Sequence, residues 1–411
     1  MGQAFGAEDL KSSWRPGLAV DVPGLPEGEP CNDADGDGFV DAWTCPRAAD
    51  ADCDDQDPEV TPATERFVPG GPFLMGSTST QAGADEGPVE VVVVSGFCMD
   101  VHEATRPGQT QPIEDASWPD AHDGCAARGL RLPTEAEWEK AARGGCELGD
   151  DPARCDAADL RAYPWGDTAP TCELANHSQV GPRGPSLCRS DTWSVESGNA
   201  GPYGHRNLAG NVWEWTADLY HPAVYGPGRT DPAGPSAGEH HVMRGGSWNT
   251  FSTNMRAANR FNDLVLGSAV GYRCVRSDTT PVHDPVDPLV LVEVRGAVTR
   301  ATPIEGAALY ITAFDALDAR GMQMPPPGTS PVAELRLVPN GETEQAFSLA
   351  VPKGRSVLLF ASLDNETGGD KQDYMPASGS GGMGPASQNP IAVDGPVEGI
   401  TITLRAMPPG P

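Results

Sequence analysis

The sequence predicts an α+β chain, in which a loop-rich central domain with two helices precedes a C-terminal antiparallel β-sandwich. Three observations lead there. The chain has 411 residues, room for two or three domains rather than one small one. Residues 64–278 hold most of the nine tryptophans in short Gly-, Asn- and Arg-rich motifs, with only two convincing helical stretches. Beyond residue 289, apolar and polar residues alternate in β-type runs separated by turn residues.

Charge removes one class of function. Lys and Arg total 28 against 58 Asp and Glu, a formal net charge of −30. Such a surface repels a polyphosphate, which excludes nucleic-acid binding as the default role. The longest apolar stretch, Val89 to Phe97, is far shorter than the roughly 20 residues a membrane-crossing helix requires, so none is expected. Ten cysteines, several closely spaced, favour paired thiols and hence an oxidising compartment. The first residues lack a secretory signal, so the chain reads as a mature exported protein whose signal has been removed.

Residues 1–28 carry Pro16, Gly17, Pro23, Gly24 and Pro26 without periodicity and read as an extended arm. Residues 29–63 are a dense acidic block, whose like charges require cations to stay folded. Asp33, Asp35 and Asp37 alternate, Phe39 offers a carbonyl, and Asp41 closes the run. Five oxygens therefore recur at the odd positions from which a calcium loop wraps its ion, with Gly36 and Gly38 permitting the turn. This block resembles the Asp-rich metal-binding repeats of secreted bacterial proteins and, more loosely, thrombospondin type-3 repeats.

In the central domain, 64–278, Ser117 announces a first helix that runs through Asp120 to Arg128 and stops at Gly129. Thr134 and Glu137 have the spacing of a capping box, opening a second helix that continues through Trp138 to Arg143 before Gly144-Gly145. Thr279 to Pro288, with three prolines, reads as a stiff linker. The strands expected in 289–411 are Leu289–Val298, Ala307–Phe314, Ala333–Val338, Gln345–Val351, Ser356–Ser362 and Val397–Leu404. The run from Asp364 and Asn365 to Asp370 and Asp373 reads equally as a calcium loop or a surface turn. This last domain resembles transthyretin-like accessory sandwiches.

Five motifs occur in order: Arg131-Leu132-Pro133-Thr134-Glu135-Ala136-Glu137-Trp138-Glu139, Tyr163-Pro164-Trp165-Gly166, Asn207-Leu208-Ala209-Gly210-Asn211-Val212-Trp213-Glu214-Trp215, Arg244-Gly245-Gly246-Ser247-Trp248 and Gly271-Tyr272-Arg273-Cys274. Together with Phe67-Val68-Pro69-Gly70-Gly71, they resemble the formylglycine-generating enzyme (sulfatase-modifying factor) domain family. The resemblance implies a variant C-type-lectin-like fold stabilised by calcium. It places one calcium on Asn207, Glu214 and the carbonyls of Gly210 and Val212, oxygen donors of the hard kind calcium takes. It places a second on Asn176, Asp191 and the carbonyls of His177 and Trp193, with a connecting loop one residue longer than the family pattern. It also implies a disulfide between Cys125 and Cys274.

Short spacing favours two local pairs, Cys146 with Cys155 and Cys172 with Cys188. Cys31, Cys45, Cys53 and Cys98 remain, and would lock the acidic block to itself or, through Cys98, to the central domain.

The family's chemistry uses two thiols, three and eight residues after the serine of the Arg-Gly-Gly-Ser motif, to hold copper(I). Here those positions are Thr250 and Met255, and the segment between them contains no cysteine. Formylglycine formation is therefore not expected, while Arg244, Ser247, Trp248 and Asn249 would line the matching pocket as a ligand site. The expectation is an exported, calcium-stabilised, non-catalytic binding or structural protein at a cell surface or in an extracellular assembly. The alternatives are a metal-dependent oxidase of the formylglycine-generating and non-haem iron superfamily, or a filament or surface-layer subunit. Adjacent His240 and His241 point apart on a strand and do not suggest a mononuclear metal site.

Overall fold

The computed structural model describes residues 33–43, 45, 51–149, 155–181, 184–222, 228–263, 269–277, 279–284, 290–300, 304, 308–316, 331–364, 382–385 and 390–404. The expected arm at 1–28, Cys31, and Asn365, Asp370 and Asp373 of the C-terminal loop lie outside them. No helix among the described residues is long and apolar enough to cross a membrane.

Both expected helices form, and both start at their predicted caps. Helix α1 spans Trp118–Ala126, and the Ser117 hydroxyl accepts the Asp120 N–H at 3.3 Å. Its inner face, Ala121 and Cys125, packs with Leu132, Trp213, Met243 and Phe261. Helix α2 spans Glu135–Arg143. The Thr134 hydroxyl accepts the Glu137 N–H at 3.1 Å, and the Glu137 carboxylate accepts the Thr134 N–H at 2.7 Å. This reciprocal cap satisfies two amides that the helix start leaves open, at a gain of about 1 kcal/mol.

All nine residues of α2 are buried, although five of them are charged. Its apolar side, Ala136, Trp138, Ala141 and Ala142, joins Phe73, Phe97, Met99 and Leu208 in one core cluster. Each large side chain removed from water there contributes on the order of 1.5–3 kcal/mol. Its charged side survives burial because each charge meets a partner: Glu135 and Glu139 meet Arg244, Glu137 meets Arg131, Lys140 meets Glu147 and Arg143 meets Glu139.

Short strands surround the two helices. His241–Arg244 lies between Arg260–Asn262 and Trp213–Leu219, antiparallel to both, and Val270–Gly271 adds to the far side of Trp213–Leu219 in parallel. A second sheet orders Val275–Arg276, Phe97–Asp100 and Glu65–Val68, all antiparallel. The Cys125–Cys274 disulfide ties α1 to the segment entering that sheet. Cys146–Cys155 and Cys172–Cys188 also form as expected. Cys53 pairs with Cys98, so the acidic block is bonded to the central domain, and Cys45 is itself disulfide-bonded.

The proline-rich segment is not simply a spacer. Val282–Asp284 forms a strand that pairs in parallel with Pro232–Pro235. After it come two sheets. One orders Glu344–Pro352, Leu291–Thr299 and Val397–Thr403, and the other contains Ala333–Leu337, Ala308–Asp315, Arg355–Asp364 and Gly382–Pro385, with Ile391–Val393 also paired to Arg355–Asp364. Their inward residues, among them Val294, Val298, Ile311, Phe347, Leu349, Leu359 and Ile402, form one buried cluster. The expectation of wholly antiparallel pairing is corrected at one place, because Val397–Thr403 runs parallel to Leu291–Thr299. Alternation in a run reports which face is buried and is silent on strand direction.

Candidate functional site

The Arg244-Gly245-Gly246-Ser247 turn sits where α2 meets the central sheet. Gly245 and Gly246 have φ of +92° and +75°. A Cβ on Gly245 would lie 3.0 Å from the Trp138 ring, and one on Gly246 would lie 2.3 Å from the Met255 methyl. Only glycine lets the chain turn this close to both side chains.

Arg244 does not line a pocket, contrary to expectation. It is fully buried, donates to the carbonyls of Ala257 at 2.8 Å and Asn259 at 2.5 Å, and pairs with Glu139. Its Nε lies 3.2 Å from Glu135, which also receives Arg260 at 2.6 Å. Glu139 further accepts the Gly76 N–H at 2.8 Å and pairs with Arg143 at 2.9 Å. Glu135 and Glu139 of α2 therefore bind arginines of the sheet. Their i,i+4 spacing puts both carboxylates on one helix face.

Ser247 is also fully buried and donates to Asn249 Oδ1 at 2.8 Å. Trp248 and Asn249 are buried beside it, 8% and 5% exposed. The two positions that hold thiols in the family are filled by groups with other tasks. The Thr250 hydroxyl accepts the Ser247 N–H at 2.9 Å and donates to the Ser247 carbonyl at 3.0 Å. Met255 is fully buried with Tyr163 and Ala209. A hydroxyl and a thioether do not form the thiolate pair that copper(I) requires, so the residues present do not fit that ion.

The first implied calcium set fits poorly as well. Glu214 accepts from Arg273 Nε at 2.7 Å and Nη2 at 2.6 Å, and from Trp138 Nε1 at 2.7 Å. Both carboxylate oxygens are thus committed to a buried guanidinium. Asn207 turns its amide group to Glu103 at 2.9 Å and to the Val195 carbonyl at 3.2 Å, while its oxygen accepts from Trp193 Nε1 at 3.2 Å. The peptide N–H of Gly210 reaches the Gly245 carbonyl at 2.9 Å, and Val212 is fully buried. Glu214 is here the counter-ion of Arg273.

Glu103 went unnoticed in the sequence. It is 2% exposed and accepts from the amides of Asn207 and Asn211, each at 2.9 Å. Burial pushes its carboxyl up to about 8; Arg273 opposes that rise and Glu214 adds to it. A lone glutamate in a Val-His-Glu-Ala stretch carries no signal of its burial.

The second implied calcium set is partly assembled. Asn176 is fully buried, its amide group donates to the Asp191 carbonyl at 2.9 Å, and its oxygen is left without a protein partner. Asp191 is exposed, with one carboxylate oxygen on the Thr192 N–H at 2.7 Å. The carbonyls of His177 and Trp193 are engaged by the Cys188 N–H at 2.9 Å and the Asn211 amide at 3.4 Å. A buried orphan oxygen beside a carboxylate-bearing residue fits a hard cation.

In the acidic block, one carboxylate oxygen each of Asp33, Asp35 and Asp37 lie within 4.8 Å of one another. A second triad, Asp35, Asp52 and Asp55, meets the same limit. Asp52 and Asp55 belong to the expected acidic block but not to the expected ligand set. Phe39 donates its N–H to Asp37 at 2.8 Å, and Asp41 accepts the Trp43 N–H at 3.0 Å and stands outside both triads. The chain folds back so that Val40–Asp41 pairs with Ala51–Asp52, which carries the second acidic turn onto the first.

Comparison with known proteins agrees with the motif reading. The family model of the sulfatase-modifying factor enzyme 1-like domain matches residues 103–278. The serine/threonine-protein kinase pkn1 of Chlamydia caviae is 30% identical over 255 residues, 51% of this chain, which spans only 37% of that kinase's length. The formylglycine-generating enzyme of Thermomonospora curvata is 33% identical over 239 residues, covering 52% of this chain and 67% of that protein. The inactive C-alpha-formylglycine-generating enzyme 2 of Mus musculus is 32% identical over 184 residues, 42% of this chain and 51% of that one. With the ordered motifs, the buried Arg-Gly-Gly-Ser turn and a formylglycine-generating enzyme matched over two thirds of its length, this chain belongs to the sulfatase-modifying factor family.

Proposed function

We propose that the chain is an exported, calcium-stabilised protein that uses the sulfatase-modifying factor fold for binding or structural support rather than for catalysis. The observation that carries this reading is the replacement of both copper-binding thiols. Thr250 is tied to the Ser247 backbone and Met255 is packed into the core. The nine cysteines among the described residues offer no substitute, because none of them is free. The family contains at least one member named as inactive, so loss of chemistry on this scaffold has a precedent.

Calcium enters as a structural ion. Asn176 with its orphan oxygen would hold one in the central domain, and the acidic block would hold another, each neutralising charge that otherwise repels itself. Disulfides in the block and the central domain agree with an oxidising, extracellular setting. The two C-terminal sheets sharing one core read as an accessory sandwich at a cell surface or in an extracellular assembly.

Copper(I) titration against a competing chelator tests the non-catalytic reading. The expected result is no tightly held equivalent. One equivalent retained against the chelator, with a thiolate-to-copper absorption band, would overturn it.

A further inference from the structure

Three aspartates of the acidic block, Asp35, Asp37 and Asp52, use one oxygen on the backbone and leave the other unpaired. Asp35 accepts the Asp37 N–H at 3.0 Å, Asp37 accepts the Phe39 N–H at 2.8 Å, and Asp52 accepts the Asp54 N–H at 3.1 Å, each through one oxygen. The second oxygen of each of these three is buried with no partner. Asp52 is 0% exposed, so its free oxygen has no water to turn to. One of its carboxylate oxygens lies within 4.8 Å of one from each of Asp35 and Asp55. Leaving a buried carboxylate oxygen unpaired among like charges is costly without a cation.

We propose that a divalent hard cation of the calcium class binds between the two acidic turns, held by Asp35, Asp52 and Asp55, with Asp52 as its buried ligand. This rests on the calcium reading given above but replaces the single-loop ligand set. The ion joins turns that are 17 to 20 residues apart in sequence, as Asp35 is at one end and Asp52 and Asp55 at the other.

The site also sits where the block meets the central domain. Cys53, next to Asp52, is bonded to Cys98 of a central strand, and Asp54 pairs with Arg276. The second turn is therefore held to the domain at the two residues between its ligands Asp52 and Asp55. The cation would extend that hold to the first turn, whose ties to the second include the short Val40–Asp41 pairing, the Ala34 N–H on Asp55 at 2.7 Å and the Trp43 Nε1 on the Cys53 carbonyl at 3.3 Å.

The test is calorimetric titration of calcium chloride into the chelator-stripped full chain, with thermal unfolding in chelator and in calcium. Asp52→Asn keeps the oxygen that accepts the Asp54 N–H but removes the charge. It is expected to weaken binding at this site by about tenfold or more, because calcium affinity follows ligand charge. The same variant is expected to unfold at a higher temperature than wild type in chelator, since it relieves an unpaired buried charge.

Asp55→Asn, at a half-buried position, serves as the second ligand variant and is expected to weaken binding likewise. Asp41→Asn is expected to leave this isotherm unchanged, and Asn176→Ala to remove only the central-domain binding event while sparing the one that Asp52→Asn weakens. Wild-type binding that Asp52→Asn and Asp55→Asn both leave intact would overturn the ligand set while sparing calcium elsewhere. Loss with Asp41→Asn alone would restore the single loop and overturn this proposal. No calcium uptake by wild type at all would overturn both the site and the calcium reading.

Discussion

Replacing Glu214 with glutamine should destabilise the central domain equally in calcium and in chelator. Arg273 is fully buried, and three hydrogen bonds converge on the two Glu214 oxygens, two from Arg273 and one from Trp138. Arg273 also donates to the carbonyls of Asp100 and Val101 at 3.1 Å and Arg206 at 2.8 Å, which hold it in place but carry no full charge. Removing one member of a buried ion pair leaves the other uncompensated and costs about 3–5 kcal/mol. For a domain of this size each 1 kcal/mol lowers the midpoint by roughly 2–4 °C, so a fall of about 6–20 °C is expected.

Differential scanning calorimetry of wild type and Glu214→Gln, each in excess chelator and in excess calcium, reads this directly. Pairing the change with Arg273→Met should recover part of the loss, with a coupling of up to about 3 kcal/mol. A loss seen only in calcium would refute the assignment. It would mean that the carboxylate serves a metal ion and that the Arg273 pair is its replacement when the ion is gone.

Other predictions follow from the same packing. Thr134→Ala removes the α2 cap and should cost about 1 kcal/mol in denaturant unfolding, with no change when Thr134→Ser is made instead. Gly246→Ala must adopt a φ of +75° with its methyl 2.3 Å from Met255, and should lower the unfolding midpoint more than a surface Gly→Ala change such as at Gly129. Opening Cys125–Cys274, which closes a loop of 149 residues, should cost about 2–5 kcal/mol and be visible on comparing Cys125→Ala/Cys274→Ala with wild type.

Lys140 gives a pH signature. It is fully buried, donating to the carbonyls of Pro69 at 2.5 Å and Gly71 at 3.1 Å, and burial pushes its ammonium from 10.5 down to about 8, with Glu147 opposing. Between those values the unfolded chain keeps a proton that the folded chain has released, so folding gains as pH rises. The contribution is fully present above the unfolded value and is lost as pH falls through about 8, an effect on the order of 3 kcal/mol. Wild type should therefore gain on Lys140→Met between about pH 7.5 and pH 10.5; a difference independent of pH would contradict the burial of a charged Lys140.

The elements that could be read in advance are those whose signal is local. Ser117 and Thr134 name their helix starts because a cap needs only its own next three residues. The six alternating runs after residue 289 become strands within a few residues of the expected ends, since one buried face fixes every second side chain. Gly382–Pro385 and Ile391–Val393 were missed, being too short for alternation to register.

The site was legible as a list of residues but not as a set of partnerships. The Arg-Gly-Gly-Ser and Asn-to-Trp motifs located the right turn, and the absence of thiols was plain. Nothing in sequence spacing shows that Glu214 meets Arg273 across 59 residues, or that Arg244 is spent on Glu139 and two carbonyls rather than facing a ligand. Asp52 and Asp55 were visible as acidic residues. Their union with Asp35 depends on a two-residue strand pairing that no periodicity announces.

The central claim is that this scaffold has kept its shape and lost its oxygen chemistry. Incubating the full chain with copper(I), oxygen and a cysteine-bearing peptide substrate, then assaying the peptide for aldehyde by mass spectrometry, tests that claim most directly. No aldehyde above the enzyme-free control is predicted. Aldehyde that accumulates with turnover and vanishes when this chain is omitted would contradict it.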